Sequence, residues 1–510
     1  MMIQIDKTFL ITEYNYYKHK GLKYLNDNLI EESLISLKYA AFIAWNYPIL
    51  YNFIDDEVEN ALDEISDILN KNKGVVFQGN ENKIVFYSGQ IIDYGGLTQQ
   101  YLYFLVENGY QILFIIPDIK ATKEGSEILD YLNKNNNIEL FIPKSSKLSV
   151  KIKEINSRID IFKPSKAFLH FMPHDVEGYC VFTKLNIPRY FIVHNDHTFW
   201  LGKGCSDYFI EFRKFGCQLS MQRRHMRSDK IIYLPYYPIE HIQKFQGFPF
   251  DRKNKIIGVS GANLYKYYLD KELNFFHAIK ELIIRNENFI FCLAGFGDAT
   301  IVKNFISQNN LQNRFYYVGK RNDFNEFIGN CDIFFESYPL KGGLTFLYAS
   351  KQNIPILGLS NHKNASGGLE DWIETGNYKQ PNNFENFIIQ ADLLIKNKDL
   401  RDKNAIIFSN NLFNRKDFTN NLKQLLEGHK EFLSCKFPGL LQLDDNYYLN
   451  EFISVTGSSL NYFYFKFYYI RNISDIFERF REFCSIIRLN YTVLKLKQLI
   501  RLIMILIFKK

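Results

Sequence analysis

The chain has no stretch of about 20 apolar residues, the length a spanning helix needs. The apolar run at its C-terminal end, Leu502–Phe508, covers only seven. A polytopic membrane protein is therefore excluded. Cysteine is sparse and unpatterned: the seven residues at 180, 205, 217, 292, 331, 435 and 484 are odd in number and form no C-x-x-C pair. A disulfide scaffold is not expected, and reduced thiols in a cytosol are. The start, M-M-I-Q-I-D-K-T-F-L, has neither a basic n-region nor a long apolar h-region, so no secretory signal is read there and the expected location is cytoplasmic. No dense Lys/Arg block with interleaved aromatics accompanies the modest formal charge of +7. That argues against a nucleic-acid partner.

What is present suits a folded protein of several cores. At 510 residues the chain exceeds one ordinary domain, and its 46% hydrophobic and 23% charged fractions are near globular averages. Residues 1–75 read as a helical module, with apolar side chains at three- and four-residue spacing through Y-L-N-D-N-L-I-E-E-S-L-I-S-L-K-Y-A-A. One such hairpin cannot bury its own face, so packing against the next domain is expected. From residue 76 to 245, β-rich runs (K-I-V-F-Y-S, Q-I-L-F-I-I-P, A-F-L-H-F, R-Y-F-I-V-H) alternate with helical stretches, the pattern of a parallel sheet with crossover helices. A Pro-containing basic connection leads to a second series over 246–430, with strands predicted at 255–260, 289–294, 315–319, 333–337 and 354–358. The expected fold is thus α/β, two Rossmann-like parallel-sheet domains facing a cleft. A helical tail over 431–510 completes it, and its end, 484–510, is apolar and cationic with no acid at all. That composition suits an amphipathic helix lying on an anionic membrane, or a helix covering the core.

Candidate chemistry gathers after the predicted strands. Gly95 and Gly96 precede a helix, where bare amides favour an anion, although glycine pairs also simply mark turns. Four histidines (170, 174, 194 and 197) follow two strands of the first series. Their spacing admits a zinc site, but no Cys or Glu completes a recognised ligand pattern, so no metal is expected. In F-I-V-H-N-D-H-T-F-W-L-G, His194 and Asp196 are the candidate catalytic pair, able to position or deprotonate an acceptor; capping the next helix is the alternative role. In the second series, Gly261 follows the strand predicted at 255–260 and Lys266 comes shortly beyond, as a cation for a diphosphate or as a solvated lysine. The segment F-F-E-S-Y-P-L-K-G-G-L-T-F-L-Y-A-S-K reads strand, loop, glycine pair, helix. Gly342 and Gly343 are expected to present bare amides at a helix N-terminus, with Lys341 and Thr345 beside them, as a cradle for phosphates.

In this order the motifs resemble the GT-B glycosyltransferases over about residues 83–427. F-C-L-A-G-F-G-D, F-Y-Y-V-G-K-R-N-D-F-N-E-F-I-G-N-C-D-I-F-F-E-S-Y-P and G-G-L-T-F-L-Y-A-S-K-Q-N-I-P-I are similar, in sequence, to the donor domain of that group. H-N-D-H-T-F-W-L-G with S-D-Y-F-I-E-F-R resembles bacterial members distantly akin to the protein-glycosylating and O-GlcNAc-transferring groups. The resemblance implies transfer of a hexose or N-acetylhexosamine from a nucleotide diphosphate sugar to an envelope glycan, a lipid-linked intermediate or a protein. It implies no bound metal or other cofactor. It implies donor contacts from Gly261, Lys266, Arg321, Lys341, Gly342, Gly343 and Thr345. One departure stands out: the two positions where many retaining members carry glutamate hold Leu340 and Tyr348. Glu336 is the expected substitute, and stereochemistry stays open. A sugar-nucleotide epimerase of similar architecture and a non-catalytic membrane-associated scaffold are the alternatives. The membrane in question is the inner face of the plasma membrane.

Overall fold

The alternation of apolar runs with helices yields two separate parallel sheets in a computed structural model. It describes residues 7–47, 49–50, 52–70, 80–91, 97–118, 125–193, 195–239, 243–270, 272–359, 369, 372, 373, 376, 378–428, 466, 469–473 and 475–490. The first sheet comprises β1 Asn80–Ser88, β2 Gln111–Ile115, β3 Ile138–Phe141, β4 Pro164–His170, β5 Arg189–Ile192, β6 Tyr208–Glu211 and β7 Ile231–Tyr233, in the order 3-2-1-4-5-6-7. The second comprises β8 Ile256–Gly261, β9 Phe289–Ala294, β10 Phe315–Gly319, β11 Ile333–Phe335 and β12 Ile356–Leu357, in the order 10-9-8-11-12. Every paired neighbour is parallel. Both sheets carry helices on both faces, and for that reason their strands read as nearly continuous apolar runs.

Alternation along the strands divides the cores. Val85, Tyr87, Leu113, Ile115 and Leu169 face one side of the first sheet, and Ile84, Phe86, Ile112, Phe114 and Phe168 face the other. On the second side the register lines up Phe114, Phe86, Phe168, Tyr190 and Tyr208 across five strands. Their rings stack at 5.3, 6.0, 5.3 and 5.3 Å between centroids. Much of the aromatic richness of the chain is therefore structural, a cross-strand ladder that adds stacking to apolar burial.

Helices Lys7–Asn26, Ile30–Asn46 and Asp56–Leu69 share the first of these cores, their Leu10, Leu34, Leu37, Leu62 and Ile65 packing with Tyr179, Phe182 and Val85. Glu59 fastens the module further, accepting hydrogen bonds from the amides of Gly202, Lys203 and Gly204 at 2.8, 3.1 and 2.7 Å. The chain also returns to this domain twice. Helix Arg415–Leu426 was expected in the second domain, but Phe418 packs on Tyr101 and Tyr237 at 5.2 and 5.4 Å, and Arg415 pairs with Glu107. Its Phe418, Leu422, Leu425 and Leu426 join the core on the second side of the first sheet. Helix Ile476–Asn490 then lies on the first helix through Lys20–Glu482 (2.9 Å) and the Tyr17 hydroxyl, which donates to Glu482 Oε2 at 2.5 Å. Among the described residues no helix is long and apolar enough to cross a membrane.

Candidate functional site

Strand β11 delivers Glu336 to the carboxyl edge of the second sheet, and the chain then loops into helix Leu344–Lys351. Gly343 holds φ at +74°, a left-handed conformation that suits glycine, and no side chain caps the helix it precedes. The first amides of such a helix have no partner within it and carry the positive end of its dipole. Gly342 is packed tightly: a Cβ there would lie 2.3 Å from Thr345 Oγ1 and 3.2 Å from the Gly261 carbonyl oxygen. Gly261 is itself closed off by the Phe324 ring, 2.2 Å from where its Cβ would be.

The expectation of two bare amides needs correcting. Gly342 N–H donates to Glu336 Oε1 at 2.5 Å, so Glu336 holds the loop rather than leaving that amide open. Ser337 also donates to this oxygen, from its amide at 3.0 Å and its hydroxyl at 3.2 Å. Glu336 is 1% exposed, and burial raises its pKa against the pull of Lys341 and the Gly342 amide. Lys341 is buried and donates to the Leu359 carbonyl at 2.6 Å. Lys266 donates to the Lys341 carbonyl at 2.7 Å; burial lowers its pKa, Glu336 opposes that, and Arg213 adds to it.

The opposite wall belongs to the first domain. Phe212 and Tyr236 stack at 4.5 Å, and Phe212 reaches Trp372 of the second domain at 4.9 Å. Trp372 stands over the glycine loop, 3.4 Å from where a Gly343 Cβ would be. The Arg213 guanidinium lies 5.4 Å from the Trp372 ring. Asp196 grips Arg213 in bidentate fashion, Nε to Oδ2 at 2.5 Å and Nη2 to Oδ1 at 2.7 Å. Burial alone would raise the Asp196 carboxyl, but Arg213 and His197 together hold it well below the ordinary carboxylate range. Behind this pair, burial and the charge of Asp196 push Glu211 upward, and Arg224 donates to the carbonyls of Asp196 and Thr198, both at 2.7 Å.

Four buried polar atoms around this cleft have no hydrogen-bond partner among the described residues: Glu336 Oε2, Thr345 Oγ1, Trp372 Nε1 and Tyr236 Oη. Leaving a buried polar group unpaired costs about 1–3 kcal/mol, so a cluster of four marks a place shaped for a polar ligand.

The expected site residues thus fall into four groups. Gly261, Lys266, Glu336, Lys341, Gly342, Gly343 and Thr345 come together. Arg321 is committed elsewhere, its guanidinium bonded to Asp323 at 2.9 and 2.6 Å and set over Phe327. Gly95, Gly96 and His194 lie outside the described residues. Asp196, expected as a base, is fully buried with both oxygens engaged; its geometry suits orienting Arg213 instead. The other histidines have separate neighbours: His170 with Ser88 and Thr98, His174 stacked on Trp45, His197 on Asp196. Among the described residues no three metal-ligating side chains converge. Arg213, Phe212, Tyr236 and Trp372 were missed. Arg213 closes the motif S-D-Y-F-I-E-F-R, the one signal that pointed toward it.

Solved structures share this architecture. The chain is similar to the HepE protein of Anabaena in complex with UDP and glucose (TM-score 0.52, 15% identity, 68% of this chain and 99% of that one). It is similar to a glycosyltransferase from Rickettsia africae (0.51, 15%, 70% and 100%). It is also similar to a Listeria monocytogenes protein described as a UDP-N-acetylglucosamine 2-epimerase (0.50, 15%, 71% and 100%). No protein-family model and no curated protein sequence matches the chain. At such identities the likeness establishes the fold, two parallel-sheet domains of the GT-B type facing a cleft.

Proposed function

We propose that the protein is a glycosyltransferase that takes a hexose or N-acetylhexosamine from a nucleotide diphosphate sugar without a bound metal. The observation that carries this reading is the cluster of unpaired buried polar atoms around an uncapped helix N-terminus, with cations on both walls. A diphosphate set against the first amides of helix Leu344–Lys351 meets the helix dipole and Lys266 from one side and Arg213 from the other. These charges stabilise the leaving nucleoside diphosphate as the glycosidic bond to it breaks, a task a metal ion performs elsewhere. Glu336 Oε2 and Thr345 Oγ1 are hydrogen-bonding groups for hydroxyls of the donor. Asp196 keeps Arg213 aimed, and His194, on the segment just before it, is the candidate base for the acceptor hydroxyl. The acceptor is an envelope glycan, a lipid-linked intermediate or a protein. The enzyme works in the cytoplasm at an anionic membrane surface, supported by the basic, acid-free residues 484–510.

The test is a thermal-shift panel of UDP, GDP, ADP and CDP with their sugars, starting with UDP, which the similar Anabaena structure holds. A bound sugar nucleotide is then incubated with and without membrane extract. Release of nucleoside diphosphate that requires the extract supports transfer. Conversion of the sugar nucleotide with no acceptor present would replace this reading by an epimerase, and no stabilisation by any nucleotide would leave only a scaffold.

A further inference from the structure

The last described helix, Ile476–Asn490, sorts its side chains by charge. Its acids Glu478 and Glu482 both turn inward: Lys20 pairs with each of them, Lys466 pairs with Glu482, and Tyr17 donates to Glu482 Oε2 at 2.5 Å. Arg479 is buried too, donating to the Ile473 carbonyl at 2.7 Å. Among the described side chains of the helix, those that face outward are apolar and basic. Ile476, Phe477 and Phe480 are 58%, 83% and 55% exposed, and Arg471 and Arg481 are exposed beside them. The Tyr16 ring of the first helix, 45% exposed, extends the patch, its hydroxyl 3.4 Å from Glu482 Oε1. Asp475, at this rim, caps the helix by accepting from the Glu478 amide at 2.7 Å.

Leaving a phenylalanine 83% exposed is costly in water, and such residues on one helical face mark a contact surface. Charge identifies the partner. The sequence that follows, through Lys510, adds Arg488, Lys495, Lys497, Arg501, Lys509 and Lys510 with no acid. Two copies meeting through this face would bring like charges together, whereas an anionic bilayer attracts the basic residues and takes the rings at its interface.

We infer that Tyr16, Ile476, Phe477, Phe480 and Arg481 form the face on which the protein sits on an anionic phospholipid bilayer. The inference rests on the membrane part of the proposed function and deepens it. The helix is ion-paired to the first helix, whose core is continuous with the seven-stranded sheet, so contact through this face holds the acceptor domain itself against the lipid.

The test uses the full chain with phosphatidylcholine vesicles, with and without phosphatidylglycerol. Three variants are compared: wild type, Ile476→Ser/Phe477→Ser, and Phe477→Trp. The expected results are sedimentation with the anionic vesicles only, a loss of roughly tenfold or more in vesicle affinity for the double variant, and a blue shift in the emission of Phe477→Trp on adding anionic vesicles. The substituted side chains are exposed, and an unchanged melting temperature confirms that the variants fold. Wild-type binding with an undiminished double variant and an unshifted Phe477→Trp emission overturns the face while leaving the membrane reading standing. No binding of the wild type to anionic vesicles removes both. A change from dimer to monomer in the double variant, with vesicle binding intact, assigns the face to a second copy instead.

Discussion

Two groups of buried polar side chains, the ion-paired cluster of the seven-stranded domain and the glycine loop of the five-stranded one, differ in how far they are satisfied. In the ion-paired cluster the charges satisfy one another: Lys38 reaches Glu177 at 2.6 Å, Tyr87 donates to Asp175 at 2.8 Å, Glu59 takes three amides, and Asp196 takes Arg213. In the five-stranded domain the cores are apolar and aromatic, and unpaired polar atoms gather at the glycine loop. Closed networks make a rigid frame, and open ones make a receptor. The contrast yields a rule: changes in the first set should cost stability, and changes in the second should cost ligand affinity with little loss of stability.

The largest effect should come from Arg213→Met. Removing one partner leaves Asp196 charged and buried, and about 3–5 kcal/mol of stability should be lost in a urea melt. Arg213→Met/Asp196→Asn should recover much of it. If the single variant is as stable as wild type, the frame is not closed at this point.

Next in size is a pH effect at Glu59. Burial, countered by its three amides, pushes this carboxyl up to about 7. For an acid raised in the folded state, the contribution to stability is complete below the ordinary 4.5 and is lost as pH rises through about 7. Melting temperatures of wild type and Glu59→Gln, measured from pH 5 to 8, should therefore diverge with a change of about 2–3 kcal/mol. Parallel curves would mean the ionised carboxylate is fully stabilised by its amides.

In the receptor domain, Glu336→Gln keeps an oxygen for the Gly342 amide and removes a buried charge. It should weaken nucleotide-sugar binding roughly tenfold, about 1.4 kcal/mol, while leaving the melting temperature level or raised. A drop in stability with unchanged affinity would reverse the comparison. Thr345→Val should be milder still, a loss of about 1 kcal/mol or less in donor affinity measured by calorimetry.

Much of this architecture was legible in the sequence because buried parallel strands write themselves as apolar runs; β1, β2, β4, β5 and all five strands of the second sheet were read that way. Strands β3, β6 and β7 were not; β3, at the sheet edge, has no fully buried residue and so writes no apolar run. Helix Arg415–Leu426 was misplaced because an amphipathic face does not announce which core it joins. At the site, the glycine loop and its lysines were visible as a local motif. Three features were not: the Gly342 amide already occupied by Glu336, the Asp196 carboxylate consumed by Arg213, and the Trp372–Phe212 contact. Each depends on side chains meeting across the fold rather than along the chain.

The most direct measurement is a calorimetric titration of UDP, GDP, ADP and CDP into wild type and into folded Gly343→Val protein. The wild type should bind one of these nucleotides saturably. The variant, whose side chain crowds the amides at the start of helix Leu344–Lys351, should bind it at least roughly tenfold more weakly. A wild type that binds none of the four, or a folded Gly343→Val protein that binds as tightly as wild type, would contradict a donor site at the glycine loop.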